Sequence, residues 1–209
     1  MSEVRSVARS PVPPAPPVAV VAGWEVSVRR STAALRLADW TPLAKVLLRG
    51  PELGGIEQSL GVPHRSAAHT RAGHLVVGSG PGEWLVLAAP GAADAVAGWL
   101  GSVGSEAGEF HAVVDVTHGR VLVRLTGADT AAMLPKVCAI DFADDVTPNG
   151  AAFRSSVARV TTDVVRDDVA GVRSYLLHCD RSYGRYLFAS LLDAGAEFGI
   201  DVDGFAPDS

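Results

Sequence analysis

Cysteine is scarce in this 209-residue chain, which has only Cys138 and Cys179. They lie in apolar surroundings without Cys-x-x-Cys spacing, so they read as reduced core residues rather than a disulfide or a metal pair, and the expected compartment is the cytoplasm. Positive charge is also short: 18 Lys and Arg stand against 23 Asp and Glu, with no basic stripe. That composition excludes the electrostatic footprint of a nucleic-acid or anionic-membrane partner. No apolar run approaches a membrane span. The stretch 18–22 is far too short, and no small-residue cleavage site follows a proper hydrophobic region, so no secretory signal is expected. The six histidines fall into no metal-ligand spacing, which leaves zinc and non-haem iron unsupported. Gly78-Ser-Gly-Pro-Gly82 leads from one strand into another rather than into a helix. It therefore satisfies neither the dinucleotide fingerprint nor a phosphate loop, and no flavin or nicotinamide site is visible.

What the chain does have is 48% hydrophobic residues, enough for a sizeable core in one compact unit or two intimately packed halves. Ser10-Pro-Val-Pro-Pro-Ala-Pro-Pro17 can form neither a helix nor a central strand, since each proline removes a donor and fixes φ. Residues 1–22 are therefore expected to be a flexible, polyproline-like arm able to lie along a partner, and 23–209 the folded unit.

The pattern within that unit predicts strands at 43–49, 74–79 and 84–89, the last two joined as a hairpin by Ser79-Gly-Pro-Gly-Glu83. A short helix is expected at 52–60 before Gly61, a second at 92–100 closed by Gly101, and a strand at 112–116. The second half repeats this order: strand 120–125, helix 128–138 kinked at Pro135, strands around 153–160 and 174–179, and helix 183–194 with Ser182 as its cap. The expected class is α+β, with mostly antiparallel sheets, short helices and two β-α-β-β-α-β halves packed as one unit.

Two places concentrate chemistry. In Asp115-Val-Thr-His-Gly-Arg120, polar groups gather at a break between apolar strands, where Gly119 permits an unusual backbone angle. Asp115 could orient His118 as an acid or base, but only if a turn brings them together; the structural alternative has Asp115 accepting backbone amides and His118 fixing the corner. The second place is the start of the last helix. Arg181, Tyr183, Arg185 and Tyr186 are of the residue types that dominate interfaces, and Arg181 with the helix amides could also meet a carboxylate. No catalytic residue and no metal ligand is assigned. His178 beside Cys179 is rejected as a nucleophile pair, because adjacent strand residues face opposite sides.

Six segments in fixed order carry a family resemblance: Gly-Pro-Gly-Glu-Trp-Leu-Val-Leu at 80–87, Val-Asp-Val-Thr-His-Gly-Arg at 114–120, Arg-Leu-Thr-Gly-Ala-Asp at 124–129, Cys-Ala-Ile-Asp-Phe at 138–142, Asp-Arg-Ser-Tyr at 180–183 and Leu-Leu-Asp-Ala-Gly-Ala-Glu-Phe-Gly at 191–199. Together they resemble the gamma subunit of heterotetrameric sarcosine oxidase, over roughly 43–199. The resemblance implies the fold of the folate-binding domain of the glycine cleavage system T protein, built from two interleaved ferredoxin-like halves. It also implies a non-catalytic brace for the alpha subunit, in a complex with alpha, beta and delta chains. That complex oxidatively demethylates sarcosine to glycine with hydrogen peroxide and one-carbon transfer, and its FAD, FMN, NAD and tetrahydrofolate sit on the partner subunits. A folate-like or corner site would comprise Asp115, His118, Arg120 and, as the nearest acid in a poorly matching stretch at 158–168, Asp163. The alternative is a free-standing folate-dependent aminomethyltransferase or a folate-binding regulator of the same fold.

Overall fold

The computed structural model describes residues 7–206. Strands β1 (Ala8–Arg9), β2 (Val18–Val21) and β3 (Trp24–Ser27) form a small sheet in the order β1-β3-β2, and β4 (Arg36–Asp39) follows. Next come β5 (Ala44–Arg49), α1 (Gly55–Leu60), β6 (Ala67–His69), β7 (Leu75–Gly80), β8 (Glu83–Ala88), α2 (Ala93–Ala107) and β9 (Ala112–Asp115). The third stretch holds β10 (Arg120–Thr126), α3 (Thr130–Met133), β11 (Ala152–Val157), β12 (Val160–Arg166), β13 (Ser174–Asp180), α4 (Gly184–Gly195) and β14 (Asp201–Asp203), with 3-10 turns at Leu134–Lys136, Arg181–Tyr183 and Ala196–Phe198.

The five-stranded sheet has the order β6-β7-β8-β5-β9, so β5, β7, β8 and β9 stand as strands 1, 2, 3 and 4 of an antiparallel ferredoxin-like half. In the six-stranded sheet, β11-β12-β13-β10-β4-β14, strands β10, β12 and β13 take the first three of those places. The fourth is filled by β4, from before the first half, and β14 then pairs parallel to β4. The halves are thereby interleaved.

Both large sheets are covered on both faces. On β10, Val121, Val123 and Leu125 join Leu187 and Leu191 of α4 in one core, while Leu122 turns to a second core between the sheets. On β8, Leu85 and Leu87 face that middle core, and Trp84 and Val86 pack with Val96 and Leu100 of α2 in a third. Period-two alternation thus divides the central strands β5, β8, β10 and β13 between two apolar layers instead of between core and water. Polar residues on the inner register, Lys45, Arg124, Asp163 and His178, fall between the sheets.

Several expectations are corrected. The flexible arm expected at 1–22 is ordered where it is described, and residues 1–6 lie outside the described residues. Val12 is buried in the α4 core, Ser10 hydrogen-bonds Asp39, and Val18–Val21 pairs with Trp24–Ser27. Prolines need no ladder partner to pack, so apolar residues between them still reach a core. Helix α2 runs through Gly101 to Gly108, whose φ of +68° ends it. Burial of Leu100 and Val103 outweighs the glycine cost, and Gly104 is bare because a Cβ there would stand 2.3 Å from the His111 ring. The helix at 128–138 is a single α-turn followed by a 3-10 turn containing Pro135, which lacks the donor an α-helix would use. Ser182 makes no cap bond, since 181–183 already form a 3-10 turn. The sequence pattern does not predict strands β1, β2, β3, β4, β6, β12 and β14, and β12 enters through a two-residue hairpin with Ala158 and Arg159 at φ +48° and +68°. No Gly or Asn marks that turn, so its sequence carries no turn signal.

Candidate functional site

The inner faces of the two sheets bring together a group that spacing alone does not connect. Arg124 leaves β10 toward the first half with its guanidinium carbon 4.2 Å over the Trp40 ring. Its Nη2 donates to Asp167 Oδ2 at 2.6 Å, and its Nη1 donates to Asp167 O at 3.0 Å and Ser174 Oγ at 2.8 Å. The other Asp167 oxygen meets His69 Nε2, on β6, at 2.8 Å. Phe205 packs edge-on against Trp40. Trp40, Arg124, Asp167 and His69 line a cleft of about 530 Å³ between the halves, with Leu43, Leu75, Leu87 and Leu176 as its apolar wall. Both Asp167 oxygens and one Trp40 face are therefore taken by the protein itself.

The corner at 115–120 is built differently. Asp115 Oδ1 accepts the Thr117 N–H at 2.8 Å, and Val116 O accepts the Gly119 N–H at 3.0 Å. Gly119 is not among the residues with positive φ, so the turn does not use the freedom that its sequence suggests. Thr117 Oγ1 accepts the Lys45 N–H at 2.9 Å, which ties the corner to β5. His118 stacks on Trp24 with ring centroids 4.9 Å apart and planes at 11°. Arg181 reaches the same place and donates to Arg9 O. Asp115, His118 and Arg181 thus line one open cavity of about 660 Å³ with Arg9, Trp24 and Thr117. Arg120 does not join them; it pairs across the ladder with Asp180 at 3.1 Å.

Beneath this corner Lys45 is fully buried, its Nζ donating at 2.7 Å to both Thr41 O and Leu43 O. Burial pushes its ammonium down to about 7, against the pull of the Asp39 and Asp115 charges. Asp39 is held above the ordinary carboxylate range by burial, in spite of hydrogen bonds from Ser10 and Thr41.

Asp163 belongs to neither cavity. Arg154, Asp163 and His178 occupy successive rungs of β11, β12 and β13. Arg154 grips both Asp163 oxygens, at 2.6 and 3.2 Å, and also approaches Glu83 of the first half at 3.6 Å. His178 Nε2 lies 3.3 Å from Asp163 but is not aligned for a hydrogen bond. Burial lowers its imidazole to about 4, so at neutral pH the ring is uncharged and no ion pair forms. Burial likewise drives the Cys179 thiol up to about 12, far from a reactive thiolate. Tyr183, Arg185 and Tyr186 are exposed along the start of α4, with each tyrosine 52% accessible. Among the described residues no three His, Cys, Asp or Glu side chains come together as metal ligands.

Sequence reasoning missed Lys45, Trp40, Arg124, Asp167 and His69. A signal was there for two of them. Lys45 and Arg124 each interrupt an otherwise apolar strand, Ala44-Lys-Val-Leu-Leu48 and Val121-Leu-Val-Arg-Leu125.

Two interleaved ferredoxin-like halves with their sheets packed face to face define a folate-binding-domain fold. The glycine cleavage system aminomethyltransferase T from Bartonella henselae shares it, at TM-score 0.68 and 17% identity over 90% of this chain and 55% of that one, so this chain spans about half its length. A chain of the heterotetrameric sarcosine oxidase from Corynebacterium sp. U-96 matches at TM-score 0.68 and 22% identity, covering 82% of this chain and 89% of that chain. Residues 55–197 fit the model of the sarcosine oxidase gamma subunit family, and the chain belongs to that family. No curated protein matches it significantly. Among the described residues no helix is long and apolar enough to cross a membrane.

Proposed function

We propose that this chain is the gamma subunit of a heterotetrameric sarcosine oxidase and acts as a non-catalytic brace, chiefly for the alpha subunit, in the cytoplasm. FAD, FMN, NAD and tetrahydrofolate would be carried by the larger alpha and beta chains, where sarcosine is oxidised to glycine. One observation carries this reading beyond family membership: the two acids between the halves, Asp167 and Asp163, are already held by side chains of this chain. Asp167 is shared by Arg124 and His69, and Arg124 covers Trp40. Asp163, the acid expected for a pterin, is 7% exposed in its side chain and held by Arg154. A carboxylate so engaged cannot also receive a pterin without losing its partner, so these residues do not fit folate.

The second reading, a folate-dependent aminomethyltransferase or folate-binding regulator, draws on the cleft of about 530 Å³ with Asp167 at its wall. The test is expression with and without the partner chains. Alone, the protein should be colourless, bind tetrahydrofolate negligibly and leave N-methylated amines unoxidised; co-expressed, it should purify with the complex. Tight folate binding or amine oxidation by the isolated chain would overturn the brace reading. Arg181, Tyr183, Arg185 and Tyr186 are proposed contacts in that assembly. Tyr183→Ala should weaken association by roughly 1–3 kcal/mol without altering the fold.

A further inference from the structure

The five-stranded sheet ends on β9, an edge with little to block further pairing. Val116 N–H donates to Lys45 O at 2.9 Å, and these two residues continue the β5–β9 antiparallel register. The alternation of such a ladder gives Val114 and Ala112 the bonds to β5 and turns the main-chain groups of Val113 and Asp115 away from the sheet. Natural edges are usually short, bulged, covered or charged along their length. β9 is short, four residues, and carries Asp115 at one end, but the side chains flanking its other end are apolar. Phe110 is 91% exposed, Leu53 78% and Val114 47%.

The display is held in place. Glu109 accepts the Gly55 and Ile56 N–H groups at 2.6 and 3.2 Å, which fixes the loop carrying Leu53 against the turn carrying Phe110. Leu53 itself sits at φ +59°, a conformation that a leucine adopts at a cost, and its side chain points to solvent. Around this apolar spot Glu52, Glu57 and Glu106 have no ion-pair partner among the described residues, and the C-terminal end of α2 adds partial negative charge.

We propose that β9 takes up an extended strand of a partner subunit as the sixth strand of this sheet, its apolar side chains covering Phe110, Leu53 and Val114 and its lysines or arginines meeting the glutamate rim. The proposal rests on the subunit reading above and gives that reading a docking geometry. Main-chain bonds supply affinity in such strand addition, and the flanking side chains supply selectivity. A second copy of this chain is a poor occupant, since antiparallel pairing of two β9 edges would set the glutamate rim of one against Asp115 of the other.

The experiment measures binding of this chain to the other subunits, co-expressed and purified without it, by calorimetry at two salt concentrations. Phe110→Ser should weaken binding by at least about thirtyfold. The double change Glu52→Lys, Glu106→Lys should weaken it about tenfold or more and reverse its salt dependence. Val113→Pro removes an outward N–H and leaves the ladder to β5 intact, so it should weaken binding while the melting temperature of the isolated chain holds. If Val113→Pro melts early, the two surface variants decide. If the parent does not bind, the subunit reading fails. If the parent binds and the variants bind as well as it does, the docking edge is elsewhere and this inference is overturned.

Discussion

Replacing Lys45 by Met isolates the energetic cost of a cation between two sheets. The ammonium is fully buried, and burial lowers it from 10.5 to about 7. Its folded-state value lies below its unfolded one, so the unfolded chain binds more protons between these two values and stability rises with pH there. At pH 7 and below, the folded state carries most of the penalty of a buried charge, about 4 kcal/mol for a shift of this size. Near pH 9 roughly half of it is relieved, and the parent should therefore gain about 2 kcal/mol between pH 7 and 9 from this group alone. Methionine removes the charge but leaves Thr41 O and Leu43 O without their donor, at about 1–3 kcal/mol each. The two effects nearly offset at neutral pH. Lys45→Met should be close to the parent in stability at pH 7 and about 2 kcal/mol less stable at pH 9. Urea unfolding followed by tryptophan fluorescence at pH 7, 8 and 9 reads this directly. Parallel stability curves for the two proteins, or a gap that closes as pH rises, would refute the account of Lys45 as a buried, proton-shedding cation.

Asp115→Ala should lower stability by about 1–3 kcal/mol by orphaning the Thr117 N–H, and Asp115→Asn by less, since an amide oxygen still accepts. Thermal unfolding checks this beside turnover of the reconstituted complex; an Asp115→Ala chain that melts like the parent but abolishes turnover would make the residue chemical. Gly104→Ala should cost about 1–3 kcal/mol, because the new methyl meets the His111 ring at 2.3 Å, whereas Gly101→Ala, with open space around it, should be neutral or stabilising. Chemical denaturation of the pair separates the two glycines.

By itself the sequence determined the α+β class, strands β5, β7, β8, β10 and β13, the Gly82 hairpin, and the family, because apolar runs, turn residues and ordered motifs are local properties. It did not reveal β12, whose hairpin turn at Ala158-Arg159 lacks a turn residue, nor the end of α2, where packing of Leu100 and Val103 outweighs Gly101. The corner was legible as a cluster. That Asp115 serves Thr117 while His118 serves Trp24 was not, since a turn's hydrogen bonds depend on the chain that crosses it. Only the tertiary structure decided that β4 supplies the fourth strand of the second half, because strand exchange leaves no mark on either strand's own sequence. It alone placed Lys45, Arg124 and His178 in the layer between the sheets, joined Asp167 of one half to His69 of the other, and enclosed Asp163 with Arg154. These outcomes depend on which two apolar layers a strand divides its side chains between. That is a property of the packed sheets, and a strand buried on both faces reads in sequence as one continuous hydrophobic run.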